Sequence, residues 1–142
     1  MYIELLPTLE LDALRERFIV ALIEEFPSLR EGVVMTMGPP PYRRIDCGGR
    51  AVTYVRSRPR KKVVRADISG LWVICPEASQ RAESIMIRSA TGGASLMLSC
   101  NEDIELAIDL IVSSVKYTYV LEAEYRIRHE HSPLLIDSTK AA

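Results

Sequence analysis

The chain has no CxxC pair, two histidines, one tryptophan, two phenylalanines, and no apolar run approaching the length of a bilayer span. Each scarcity excludes a class of protein. Cys47, Cys75 and Cys100 form an odd, widely spaced set with no signal-like segment ahead of them. Reduced thiols in a cytoplasmic protein are therefore expected, not a disulfide framework. The longest apolar stretches, such as residues 18–23 and 71–75, are far below the roughly 20 residues of a membrane helix, so no membrane partner is expected.

The scarce aromatics leave no stacking platform of the RNP type for single-stranded RNA. His129 and His131 flank Glu130, but ligands at i and i+2 converge on one ion only with unusual backbone. No metal and no cofactor are expected. A cysteine nucleophile would need a base, and both histidines sit at this one end of the chain. Glu24, Glu25, Glu102, Asp103, Glu105 and Asp109 fall on expected helix surfaces without a partner that would shift a pKa. Gly48-Gly49 and Gly92-Gly93 fit neither phosphate-loop pattern and sit where hairpins turn. No catalytic residue is assigned, and the chain reads as a non-enzymatic protein.

What the sequence does have is localised positive charge. Its formal net charge is -1 over 142 residues, yet half of its 18 basic residues lie between positions 42 and 65. They are Arg43, Arg44, Arg50, Arg56, Arg58, Arg60, Lys61, Lys62 and Arg65, with Asp46 the only acid among them. A nearly neutral chain with such a stretch is acidic elsewhere, so its field is dipolar.

The pattern of elements is helix, sheet, helix. Leu11, Leu14, Phe18, Leu22 and Phe26 recur at steps of three or four, which predicts an amphipathic helix over residues 11–26. Thr8 is placed to cap it, and Pro27 cannot continue it. A short strand is expected over 33–37, ended by Gly38 and the prolines at 39, 40 and 41. Residues 42–47 and 50–56 read as strands joined by Gly48-Gly49. Ser57-Arg58-Pro59-Arg60 reads as a second turn, before a strand over 61–68. The apolar run 71–75, closed by Pro76, suits a central strand with Trp72 in the core and Cys75 buried at its end.

A short polar connection over 77–83 then leads to a hairpin of 85–90 and 94–99 around Thr91-Gly92-Gly93. Ser99 and Glu102 have capping-box spacing, and Ile104, Ala107, Ile108, Ile111 and Val115 form one apolar face of a helix. Tyr117, Tyr119, Leu121, Tyr125 and Ile127 then alternate with polar residues as in a strand, although residues 117–128 are rich in good helix formers. Either the helix runs on or an extended arm begins. The fold class is thus α+β. Residues 1–128 make one domain, an antiparallel sheet of about five to six strands between an N-terminal and a C-terminal helix. Residues 129–142 form a flexible tail with an apolar patch at Leu134, Leu135 and Ile136.

The stretch Tyr42-Arg-Arg-Ile-Asp-Cys-Gly-Gly-Arg-Ala-Val-Thr-Tyr-Val-Arg, the run Lys61-Lys62-Val63-Val64-Arg65, the late hairpin, and the segment from Asn101 onward resemble small bacterial YjbR-like domains. The resemblance is one of element order over residues 30–119. It implies a compact α+β domain in a group for which DNA binding has been suggested, and it transfers no catalytic residue. The order is also similar to that of dimeric secretion chaperones, without their acidic bias.

Two functions are expected on these grounds. In the first, the nine cations bind nucleic acid or an acidic protein partner, led by Arg56, Arg58, Arg60, Lys61 and Lys62 around Pro59. Strand alternation splits Arg43, Arg44, Arg50 and Arg65 between two sheet faces, so these four cannot all serve one surface. In the second, the protein is a homodimeric adaptor or chaperone-like protein whose interface uses Tyr117, Tyr119, Leu121, Tyr125 and Ile127, or else the helix over residues 11–26.

Overall fold

Helix α1, Tyr2–Glu25, opens the computed structural model, which describes residues 2–32, 42–90 and 92–130. The expected strand at 33–37 and the tail beyond 130 lie outside them. Leu11, Leu14, Phe18 and Leu22 are buried as their spacing requires, and Phe26, beyond the helix end, is half-buried. Thr8 is not the cap. The good helix formers Glu4, Leu5 and Leu6 extend the helix upstream, and Thr8 lies inside it. At the other end the Phe26 amide still reaches the Leu22 carbonyl at 3.1 Å, and Pro27 then ends the ladder.

Six strands follow in one antiparallel sheet: β1 Leu29–Gly32, β2 Arg43–Cys47, β3 Arg50–Arg58, β4 Val63–Ile68, β5 Met86–Arg88 and β6 Ala94–Leu98. Their spatial order is β1-β2-β3-β4-β6-β5. Strands β2, β3 and β4 follow the order expected for 42–47, 50–56 and 61–68, and β1 falls at residues for which the sequence predicts no element. Gly48 and Gly49 take φ of 57° and 79° at the β2–β3 turn, which side chains other than glycine rarely adopt. The second turn falls later than expected. Ser57 and Arg58 stay in β3, a 3-10 turn spans Pro59–Lys61, and Lys62 closes it at φ 55°.

Residues 71–75 do not form a strand. Their amides turn back on Ser69 or go to helix hydroxyls instead of a ladder: Leu71 and Trp72 N–H donate to Ser69, Val73 N–H to Thr118 Oγ1 at 2.8 Å and Cys75 N–H to Ser114 Oγ at 3.0 Å. The segment is a strap that buries Trp72 and Ile74 and leaves Leu71 and Val73 exposed. Trp72 is core, as expected, with its indole N–H on the Ala51 carbonyl at 2.7 Å. Cys75 precedes α2, Pro76–Arg81, and is only half-buried.

Helix α3, Asn101–Glu130, resolves the ambiguity at residue 117 in favour of continuation. Its cap differs from the expected box. Asp103, three residues into the turn, accepts from Ser99 N–H at 2.8 Å and from Cys100 N–H at 3.3 Å, so Glu102 does not close the box. Helices α1 and α3 pack on each other and on the same sheet face. Phe18, Leu22, Leu110, Ile111, Val55, Val64, Leu96 and Leu98 are essentially inaccessible there, each worth about 1.5–3 kcal/mol relative to exposure. The opposite face is open among the described residues: along β4, Val64, Ala66 and Ile68 are buried while Val63, Arg65 and Asp67 are half-exposed.

Candidate nucleic-acid interface

Strand register decides where each expected cation goes. Gly32, Arg44, Tyr54, Asp67, Ser95 and Ile87 form one cross-strand row on the open face, and Arg56, Arg65 and Met97 form the next. Arg58, next in the same alternation, lies opposite Val63 where β3 runs out toward the tip. A simple alternation would put Arg50 on this face with Tyr54 and Arg56. The β2–β3 register shifts between Ile45 and Asp46, leaving Val52 without a partner, and both Val52 and Thr53 turn inward. Arg50 therefore faces the helices.

Four of the nine cations are neutralised. On the helix side, Arg43 donates to Glu16 and to both oxygens of Glu31, the Nη2–Oε1 bond measuring 2.8 Å. That guanidinium holds the carboxyls of Glu16 and Glu31 below the usual carboxylate range, and they in turn raise its own pKa. Arg50 binds Glu122 at 2.9 Å and lies over the rings of Trp72 and Tyr119, at 4.3 and 5.2 Å. On the open face Arg44 pairs with Asp46 at 2.5 Å, and Arg65 with Asp67 at 2.8 Å. Ser95 completes the second pair by donating to Asp67 at 2.7 Å.

The other five have no ion pair among the described residues. Arg56 lies directly opposite Arg65, a like-charge pair that Asp67 relieves on one side only. Its guanidinium stacks over Tyr42 at 4.5 Å, Tyr42 stands edge-on to Tyr54, and its buried Nε has no acceptor among the described residues. Arg58 is half-exposed beside the tip, and Arg60, Lys61 and Lys62 are exposed. Lys62 turns away from the open face and lines a cleft of about 460 Å³ with Glu10, Arg17 and Glu102. The contiguous unpaired set is therefore Arg56, Arg58, Arg60 and Lys61.

Arg30 was missed from sequence because β1 was. It pairs in register with Asp46, so it stands on the open face, exposed. Alternation of a buried Leu29 with an exposed Arg30 was the available signal, but four residues are too few to separate from a loop.

The five expected interface residues share no single face, since α3 is helical where a strand would have aligned them. Tyr119 closes the Arg50 cluster, edge-on to Trp72 and 3.6 Å from Cys47 Sγ. Tyr117 and Leu121 are half-buried, and Tyr125 and Ile127 are exposed. Among the described residues no group of three or more His, Cys, Asp or Glu is placed to hold a metal; His129 meets Tyr125 edge-on, and His131 lies outside them. Among the described residues no helix is long and apolar enough to cross a membrane. Comparison with protein-family models, with curated proteins and with solved structures gives no match to this chain.

Proposed function

We propose that this protein is a non-enzymatic binding domain for polyanions, nucleic acid foremost, which engages phosphates through the β3–β4 hairpin tip and the open sheet face beside it. The observation that carries this reading is the partition of charge. Arg43, Arg44, Arg50 and Arg65 each meet a carboxylate, while Arg56, Arg58, Arg60 and Lys61 meet none and adjoin one another along a single hairpin. Cations left unpaired on an exposed turn release counterions when they meet phosphate, which gives salt-dependent affinity without base readout. Tyr42 and Tyr54 next to Arg56 add ring faces at the same surface. Three thiols without a disulfide suit a reducing, cytoplasmic setting.

Titration of duplex and single-stranded DNA at two salt concentrations tests the reading. Binding that weakens steeply with salt is expected, and no binding at the lower salt would overturn it.

A further inference from the structure

We propose that the C-terminal end of α3 pairs antiparallel with the same end of a second copy of this chain, about a two-fold axis near Tyr125. The surface is independent of the basic hairpin and rests on three observations. First, the end of α3 stands alone. Glu122 is the last described residue tied to the sheet, through Arg50, and among the described residues no ion pair or side-chain hydrogen bond joins residues 123–129 to the rest of the structure. Val120, Tyr125 and Ile127 are each more than half exposed. Two helical turns without a packed face are marginal in water, so this end calls for a cover.

Second, it carries an apolar seam. Leu121 and Tyr125 continue the line of the buried Thr118 and, with Val73 of the strap, border a cleft of about 360 Å³. Leu71 and Val73, both exposed, widen the apolar surface beside it.

Third, charge order selects the occupant. Around Tyr125 the sequence reads Leu-Glu-Ala-Glu-Tyr-Arg-Ile-Arg, so Glu122 mirrors Arg128 and Glu124 mirrors Arg126 with the sign reversed. An antiparallel copy sets every acid of one helix against a base of the other on both flanks of the seam, whereas a parallel copy sets acid against acid. An unrelated partner would need no such inverted symmetry. The interface is isologous.

The test uses the full chain, with sedimentation across a wide concentration range. A concentration-dependent dimer is expected. Glu124→Arg leaves three successive charges positive, and Arg126→Glu with Arg128→Glu makes all four negative; Glu122 is kept for its bond to Arg50. Each variant alone should self-associate about tenfold more weakly, from exposed attractions turned to repulsions at symmetric sites. An equimolar mixture of the two should restore a mixed dimer, with circular dichroism confirming that each variant folds. A wild-type chain that stays monomeric, or variants that dimerise as well as wild type, would overturn the proposal. So would a monomer whose amides over 121–129 exchange slowly, since the seam would then be covered from within the chain.

Discussion

Removing paired and unpaired cations should have opposite consequences, and the comparison tests the charge partition directly. Arg58→Gln, Arg60→Gln and Lys61→Gln together remove three cations that hold no ion pair among the described residues, so stability should stay within about 0.5 kcal/mol of wild type per site. If each contacts one phosphate of a duplex, the slope of log K against log salt should fall by about 2.7, at about 0.9 per contact. Arg43→Gln should do the reverse. It leaves Glu16 and Glu31 facing each other without their shared guanidinium, whose side chain is 28% exposed. Discounted for that exposure, the network is worth about 1–2 kcal/mol, or roughly 3–6 °C in Tm for a domain of this size. Its salt slope for DNA should match wild type. Fluorescence anisotropy over a salt series and thermal melts give both quantities for both variants. The reasoning fails if Arg43→Gln lowers the slope as the triple variant does, or if the triple variant leaves it unchanged.

Three further outcomes are expected. At the β5–β6 turn a Cβ on Gly93 would lie 2.3 Å from the Ile68 carbonyl oxygen, at φ +79°, while one on Gly92 meets nothing closer than 3.7 Å. Gly93→Ala should thus cost about 3 kcal/mol or more against about 1–2 for Gly92→Ala, and equal urea midpoints would refute the steric account. Thr118→Val keeps shape but strands the Val73 amide, and should lower stability by about 1–2 kcal/mol in urea melts, more than Thr118→Ser does. Because Arg43 depresses the folded-state pKa values of Glu16 and Glu31, the unfolded chain binds more protons as acid is added. Their contribution is present above the unfolded value near about 4.3 and is lost as pH falls through the depressed folded values, so wild-type stability should drop there more steeply than that of Arg43→Gln.

Local chemistry was legible where one rule governed it. The glycine pairs marked both hairpins, and steps of three and four marked the helix faces, because turns and amphipathic faces depend on near neighbours. The strap at 71–75 was not legible. An apolar run before a proline reads as a strand unless one knows that Ser114 and Thr118, some forty residues later, will present hydroxyls to its amides. Tyr117 to Ile127 left two readings open, since period-two alternation runs through a segment whose propensity and continuity with α3 favour the helix that forms. The cation site was partly legible. Alternation separates Arg43 from Arg44 within β2, but along β3 it puts Arg50 on the face of Tyr54 and Arg56, and the displacement of Val52 that turns Arg50 toward the helices depends on pairing with β2.

The partition of charge follows from the layering. One sheet face must be covered by α1 and α3 to bury the core, and such helices carry their polar residues along the flanks of the apolar stripe. Arginines at the margins of that face therefore meet flank carboxylates, as Arg43 meets Glu16 and Arg50 meets Glu122. On the open face no helix among the described residues supplies acids, and neutralisation depends on acids within the sheet itself; Asp46 and Asp67 are each used by the arginine two residues before it. Those two aspartates are spent on Arg44 and Arg65. Beyond them β3 continues through Arg56 and Arg58 into the Pro59–Lys61 tip, which lies close to α1 yet meets no carboxylate among the described residues. An aspartate placed at Val63, opposite Arg58, would supply the missing acid: Val63→Asp should weaken DNA binding and flatten its salt slope with the fold intact. Unchanged binding in a folded Val63→Asp protein would show that Arg58 does not face the ligand.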